Sequence, residues 1–524
     1  MWMRTAAGAR RLGVAGSLAM AVGGLGAGSL PAYDPWGLWQ QRGSLTAVAL
    51  VCALLAYAGL TLLLVAWWAD WRRAAEERPS GGDRVRETLV TLACWTAPLL
   101  LAPPLYSADV YSYIAQGAMV LEGHDVYARG PSVLGPDSLG ADAAASVGGN
   151  WTDTPAPYGP VFLLLAKCVV WVTGGAVVPA VFGMRLAAVA ALALIVWSVR
   201  RLAVECGADE SRALWLAALN PLLLMHVVGG MHNDGLMIGL MLAGIVCALR
   251  GRWLLGSAVV GLAMMVKSPA AIALLFIAVI VVRGGRGTAV TRVAKAVLGP
   301  VAVAALVAVG TTLLAGTGFG WLRTQSVAAS VHTPLSLTSD IGLAIGHLAR
   351  LAAGTDPMAV KSATQALGLA AALAVIACLA VRSLRGRLHP VPGLGLSLLV
   401  LVALSPMVQP WYLLWGTAAV AASGLAAAGS GARLIGVLVV LSTALVYETQ
   451  PSGHTPAYGF VLGALAAVLA VAALRRRGAG SRASVAAGKP VPPLALPLPR
   501  PRAGQDQPTD SQVMAWRAPS QFKD

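Results

Sequence analysis

The chain has 524 residues, of which 57% are hydrophobic and 11% charged. Its mean hydropathy of +0.72 excludes a soluble globular enzyme, whose elements would alternate polar and apolar faces. Its formal net charge of +16 does not mark a nucleic-acid binder, because the Arg clusters fall at alternate loop ends, as the positive-inside bias requires. Uncharged stretches of about 15–25 residues recur, the length of helices that cross a hydrocarbon core about 30 Å thick. The fold class is therefore an all-α polytopic membrane protein. The six cysteines (Cys52, Cys94, Cys168, Cys206, Cys247 and Cys378) lie in or beside apolar segments without CxxC spacing, so neither a disulfide framework nor a zinc site is expected.

Met1 to Ala32 carry Arg4, Arg10 and Arg11 ahead of an apolar run too long for a signal-peptide core, and read as a retained first helix near residues 12–31. Spans follow at 44–68 and 88–105, with Arg72, Arg73, Arg78, Arg84 and Arg86 between them on the cytoplasmic side. The third span then ends outside and delivers Asp109 there. The stretch 158–175 reads as re-entrant or interfacial, because a crossing would put Arg200, Arg201 and every later basic loop on the wrong side. Span 179–199 ends inside at Arg200 and Arg201. Later cytoplasmic turns hold Arg250 and Arg252, then Arg283, Arg286, Arg292 and Lys295, then Arg382, Arg385 and Arg387, and finally Arg475 to Arg477. This path gives about 14 crossings with both termini cytoplasmic. The chain divides into N-terminal helices and a basic loop (1–87), a transmembrane domain (88–474) with an external loop at 106–178, and a Pro-rich disordered tail (475–524). Residues 338–352 read as a second surface-lying helix, and no internal repeat is visible.

Acids are scarce along the outward loops, so each one that occurs there is informative. Asp109 stands in Tyr106-Ser-Ala-Asp-Val-Tyr-Ser-Tyr113, among Tyr106, Tyr111 and Tyr113. It reads either as a catalytic acid or as the cap of a surface helix over 110–122. Glu122, His124 and Asp125 suit a solvated turn, with Asp125 also a candidate to hold an acceptor sugar. His232-Asn-Asp-Gly235 is either a tight turn or a phosphate- or hydroxyl-binding group. No second His lies at metal spacing, which disfavours zinc and leaves Mg2+ or Mn2+ on an Asp open. Arg185, Lys267 and Arg323 are the outward cations and so the candidates for a phosphate clamp. Gln409-Pro-Trp-Tyr412 reads as an aromatic belt with a helix-starting proline, or as a surface that stacks on sugar rings.

Asp109-Val-Tyr-Ser-Tyr113, Gly123-x-x-x-Tyr127, Pro157-Tyr-Gly-Pro160, His232-Asn-Asp234 and Gln409-Pro-Trp-Tyr412, in this order, resemble the actinobacterial polyprenyl-phosphomannose-dependent α-1,6-mannosyltransferases of the MptA/MptB type, in the GT-C superfamily. The resemblance covers about residues 90 to 415. It implies a GT-C fold whose first large external loop carries the essential acid, Asp109 by position, with interfacial helices after it. It also implies mannan synthesis for lipomannan and lipoarabinomannan outside the cytoplasmic membrane.

The chemistry expected from these residues is transfer of mannose from a lipid phosphate to a lipid-anchored mannan hydroxyl, with inversion. Asp109 would serve as base, and Arg185, Lys267 or Arg323, with His232, would offset phosphate charge. Tyr111, Tyr113, Asp125, Tyr158, Asn233, Asp234, Gln409 and Trp411 complete the expected substrate contacts. No cofactor or nucleotide is required. A transporter or flippase would place its ionisable residues near the midplane and often show repeats, whereas these cluster outside. A protein O-mannosyltransferase or an arabinosyltransferase differs from this expectation only through the family motifs.

Overall fold

The computed structural model describes residues 5–33, 47–76, 81–285, 288–331, 333–425 and 429–486. Arg4, Arg78, Arg286 and tail residues 487–524 lie outside them. Every regular element among the described residues is helical. In a chain this apolar, the backbone must satisfy its own hydrogen bonds within each segment.

Helix α1 (Ala6–Ala27) lies along α2 (Ala47–Glu76). A Cβ at Gly16 would stand 2.6 Å from the Gly59 carbonyl, so only glycine permits this approach. Helix α3 (Gly81–Leu100) contains Pro98 and gives way to Pro103-Pro104. The chain then turns into α4 (Asp109–Leu121), and after the short α5 (Ala141–Ser146) into α6 (Pro160–Thr173).

Both flanks of α6, Tyr158 and Val177, line one large cavity, so this apolar helix returns to the end of the bundle it started from. That agrees with the re-entrant assignment of 158–175. Helix α7 (Val177–Glu205) is a full-length span. Helices α8 (Glu210–Ala217) and α9 (Pro221–Leu223, continuing as a π-helical turn through Gly229) form one bent element with a 48° break. The break has a local cause. Pro221 lacks an N–H, while the Asn220 side chain caps Leu222 (3.0 Å) and donates to Ser442 Oγ (2.9 Å).

Helices α10 (Asp234–Leu249), α11 (Trp253–Met264) and α12 (Ile272–Gly284) are short and apolar, and α13 (Ala289–Ala315) is long. After α14 (Val327–Ser330), α15 (Leu337–Ala353) folds back along the first part of α16 (Pro357–Leu384). Gly342 faces Lys361 and Gly346 faces Pro357, which makes the pair antiparallel. Helices α17 (Pro390–Ala403), α18 (Leu413–Ala421), α19 (Gly429–Leu445) and α20 (Ala457–Ala486) complete the bundle. The first part of the expected tail, 475–486, is the end of α20.

Five helices among the described residues are long and apolar enough to cross a membrane, or six if the bent pair is one span. The architecture is thus a polytopic all-helical membrane protein with several long spans and interfacial helices. The expected count of about 14 crossings treats α10, α11, α12, α17 and α19 as full spans. Each has only 12–17 residues, because Pro and Gly turns interrupt the apolar runs.

Candidate active site

A cavity of about 2100 Å3 opens at the end of the bundle where α4, α7, α12 and α18 begin. Asp109, Tyr158, Lys267, Gln409, Trp411 and Glu448 contribute to its wall. Two backbone irregularities aim its groups. Tyr106 (φ 62°) and Met231 (φ 55°) are the non-glycine residues in the left-handed region among the described chain. That region costs ordinary side chains energy and persists where surrounding contacts impose it. Tyr106 is fully buried, and its N–H donates to the Pro451 carbonyl (2.8 Å). Met231 follows the π-helical turn, and the His232 N–H beyond it donates to the His226 carbonyl (3.0 Å).

These turns bring Asp109 and His232 together. Asp109 is the first residue of α4, with Ala108 in the cap position, so it does not act as the helix cap. Its N–H donates to Ser107 Oγ (3.0 Å), and its Oδ2 lies 3.3 Å from His232 Nδ1. The His232 side chain is wholly buried, whereas that of Asp109 is 21% exposed toward the cavity. Trp411 stacks on the imidazole with ring centroids 3.6 Å apart, and His226 lies 4.8 Å from Trp411 on the same cluster. Burial pushes the Asp109 carboxyl upward, but His232, Lys267 and Ser107 outweigh it and hold it below its ordinary 3.8.

Asp234 forms the second polar centre. Lys267 Nζ donates to both of its oxygens (2.9 and 3.0 Å), Trp411 Nε1 to Oδ2 (3.0 Å) and Trp415 Nε1 to Oδ1 (2.6 Å). The Lys267 ammonium also sits 4.4 Å from the Tyr412 ring centroid. Burial alone would lower the Lys267 ammonium, but Asp234 raises it above its ordinary 10.5, so the charge at this turn is permanent. With four donors on its two oxygens, Asp234 does not fit the role of a Mg2+ or Mn2+ ligand. Among the described residues, no group of three or more His, Cys, Asp or Glu is arranged to hold a metal ion.

The other expected contacts divide sharply. Tyr158 and Gln409 line the cavity, and Tyr113 stands behind Tyr158 with ring centroids 5.3 Å apart. Tyr111 reaches the wall but donates its hydroxyl to the Ser29 carbonyl (2.6 Å), tying α4 to the end of α1. Asn233 is buried, and its side-chain amide has no hydrogen-bond partner. Asp125 is exposed away from the cavity and accepts the Tyr127 N–H (2.9 Å), the geometry of a turn acid. Glu122 likewise accepts the Leu139 N–H (2.7 Å).

Arg323 is exposed, and its neighbours Thr324 and Gln325, not Arg323 itself, face the cavity. Arg185 lies at the cavity edge but is only 3% exposed. Its guanidinium donates to the carbonyls of Leu100 (3.1 Å), Ala102 and Pro103 (3.3 Å). The proline-rich end of α3 leaves these carbonyls without helical partners, and Arg185 supplies them. Of the three expected clamp cations, Lys267 alone directs its charge to the cavity.

Sequence reasoning passes over His226, Trp415 and Glu448. Glu448 lines the cavity, is 5% exposed, and accepts from Thr449 Oγ1 (2.9 Å). Burial pushes its carboxyl up from 4.5, against smaller opposing pulls from Thr449 and Thr455. Its one sequence signal is isolation, since it is the sole acid between Asp356 and Asp506.

Two family models match the chain. "Alpha-(1->6)-mannopyranosyltransferase, N-terminal domain" covers residues 10–283, and "MptB C-terminal domain" covers 338–476. The chain is 36% identical to a probable alpha-(1->6)-mannopyranosyltransferase of Mycolicibacterium smegmatis, over 82% of this chain and 81% of that protein. It is 34% identical to alpha-(1->6)-mannopyranosyltransferase A of Mycobacterium tuberculosis (87% and 86% covered), and 32% identical to alpha-(1->6)-mannopyranosyltransferase B of Corynebacterium glutamicum (78% and 71% covered). No solved structure matches the chain.

Proposed function

This chain belongs to the alpha-(1->6)-mannopyranosyltransferase family, and we propose that its cavity joins mannose from polyprenyl-phosphomannose to a lipid-anchored mannan, with Asp109 as the base. The protein is a mannosyltransferase forming α-1,6 linkages, and it works with a lipid-linked donor and a membrane-associated acceptor. The observation that carries the assignment of the base is the ionised Asp109 carboxylate facing the cavity with His232 Nδ1 3.3 Å behind it.

In the proposed step Asp109 takes the proton of the acceptor hydroxyl, whose oxygen bonds to the anomeric carbon. The bond from that carbon to the phosphate oxygen breaks, and the electron pair leaves with the polyprenyl phosphate. Inversion at the carbon turns a β-linked donor into an α-linked product. Phosphate is already a good leaving group, so a cation beside it suffices, and Lys267 is that cation. His232 keeps Asp109 charged and oriented. Leu25, Leu50, Val178 and Phe182 on the cavity wall supply apolar surface for the isoprenoid. The reaction uses no cofactor and takes place on the outer face of the cytoplasmic membrane, where Asp109 falls by the charge rule.

The experiment is mannosyl transfer from polyprenyl-phosphomannose by purified Asp109→Asn in detergent. Loss of a general base predicts a rate lower by about 10²–10⁴. A rate near wild type removes Asp109 from this role.

A further inference from the structure

One stretch of the cavity wall has no part in the step just described. The loop between α19 and α20 presents Glu448, Gln450, Ser452, His454 and Tyr458 to the cavity. Four of these side chains are already joined. Tyr458 Oη donates to Gln450 Oε1 (2.9 Å), Gln450 Nε2 donates to Ser452 Oγ (2.9 Å), and Ser452 Oγ lies 3.1 Å from His454 Nδ1. The Gln450 N–H to His454 carbonyl bond (2.9 Å) closes the loop on itself. The loop is therefore set in shape before any ligand arrives, which lowers the ordering cost of binding.

It is also fixed to the segment that carries Asp109. The Tyr106 N–H donates to the Pro451 carbonyl (2.8 Å), and Ser29 Oγ donates to the Ser452 carbonyl (2.8 Å). Gly453 adopts φ 91°, and a Cβ there would meet Ser107 Cα at 2.9 Å, so loop and catalytic segment pack backbone to backbone.

The chemistry of the loop separates two substrates. A phosphate calls for cations, and none of these five side chains is Lys or Arg; the fixed cation is Lys267, on a different segment. Carboxyl, amide, hydroxyl and imidazole groups suit neutral hydroxyls instead. Tyr458 is 49% exposed, leaving its ring available to the apolar face of a sugar. Glu448, buried and without an ion-pair partner among the described residues, can donate a hydrogen bond as a neutral acid without repelling the donor phosphate.

We propose that the Glu448–Tyr458 loop is the acceptor-saccharide subsite, binding hexose hydroxyls through Glu448, Gln450 and His454 and one sugar face against Tyr458. It rests on the transfer reaction proposed above and specifies where the sugar that loses its proton to Asp109 is held.

The test is steady-state kinetics of the purified full-length protein, with polyprenyl-phosphomannose as donor and a synthetic α-1,6-linked dimannoside as acceptor. Glu448→Ala and Tyr458→Ala are each expected to raise the acceptor KM about tenfold, the effect of one lost hydrogen bond or stacking contact. The donor KM stays within about twofold, and Glu448→Gln, which keeps a neutral hydrogen-bonding head, restores most of the acceptor affinity. Tyr458 is exposed, so its removal leaves packing intact should Glu448→Ala fail to fold. Wild-type protein that transfers no mannose to the dimannoside removes the reaction and the subsite together. Normal wild-type transfer with an unchanged acceptor KM in Tyr458→Ala, or with the shift in donor KM instead, overturns the subsite alone.

Discussion

A carboxylate that must accept protons yet remain ionised needs support in a half-dry cavity, and Asp109 obtains it from His232 and Lys267. The sign of the consequence is clear. Asp109 lies below its ordinary 3.8, so its basic form persists as pH falls through the usual carboxylate range and is lost only beneath it. Without His232, desolvation, which raises the value, gains weight. We expect His232→Gln to move the acidic limb of the pH profile of kcat/KM to higher pH and to lower kcat; an unmoved limb would show that His232 does not support the charge. The same residues show why part of the site is legible in sequence. In an apolar chain a buried charge needs a partner, so Asp109, His232, Asp234 and Lys267 announce themselves by rarity. Glu448 is equally rare, but it sits in a loop outside the recognised motifs, and nothing local marks that loop as cavity wall. Asp125 is legible as polar yet faces away, a distinction that sequence pattern does not encode.

At the scale of the element, helix ends decide what cations do. Arg185 reads in sequence as a phosphate ligand because it lies near the outer end of a span. The carbonyls it serves belong to α3, more than eighty residues earlier, and are orphaned by Pro98 and Pro103-Pro104. No periodicity in α7 could disclose that demand. Arg185→Leu is expected to leave these buried carbonyls unpaired at about 1–3 kcal/mol each, lowering the unfolding midpoint in detergent while the donor KM changes little. A large rise in donor KM with an unaltered midpoint would return Arg185 to the substrate. Helices whose apolar face and ends are both local, such as α4, α7 and α15, fall close to their predicted bounds. The short helices α10 to α12 do not, because tertiary packing and Pro-Gly punctuation divide runs that hydropathy alone treats as whole spans.

For the whole molecule, the parity of basic loops carries the topology, and the structure gathers Asp109, Lys267, Trp411 and Glu448 at one end of the bundle, as that parity requires. Asp137 belongs to the external loop and is exposed. Asp137→Cys should therefore react with a membrane-impermeant maleimide in intact cells beyond the background of the parent protein. Labelling that appears only after the membrane is opened would invert the proposed orientation.

The four donors gathered on Asp234 bear on what happens after the sugar has moved. An ammonium already answered by a carboxylate holds a newly freed lipid phosphate less tightly than a bare one would. The spent carrier can then slip back into the bilayer instead of inhibiting the next round, so the arrangement that shields Lys267 also favours turnover.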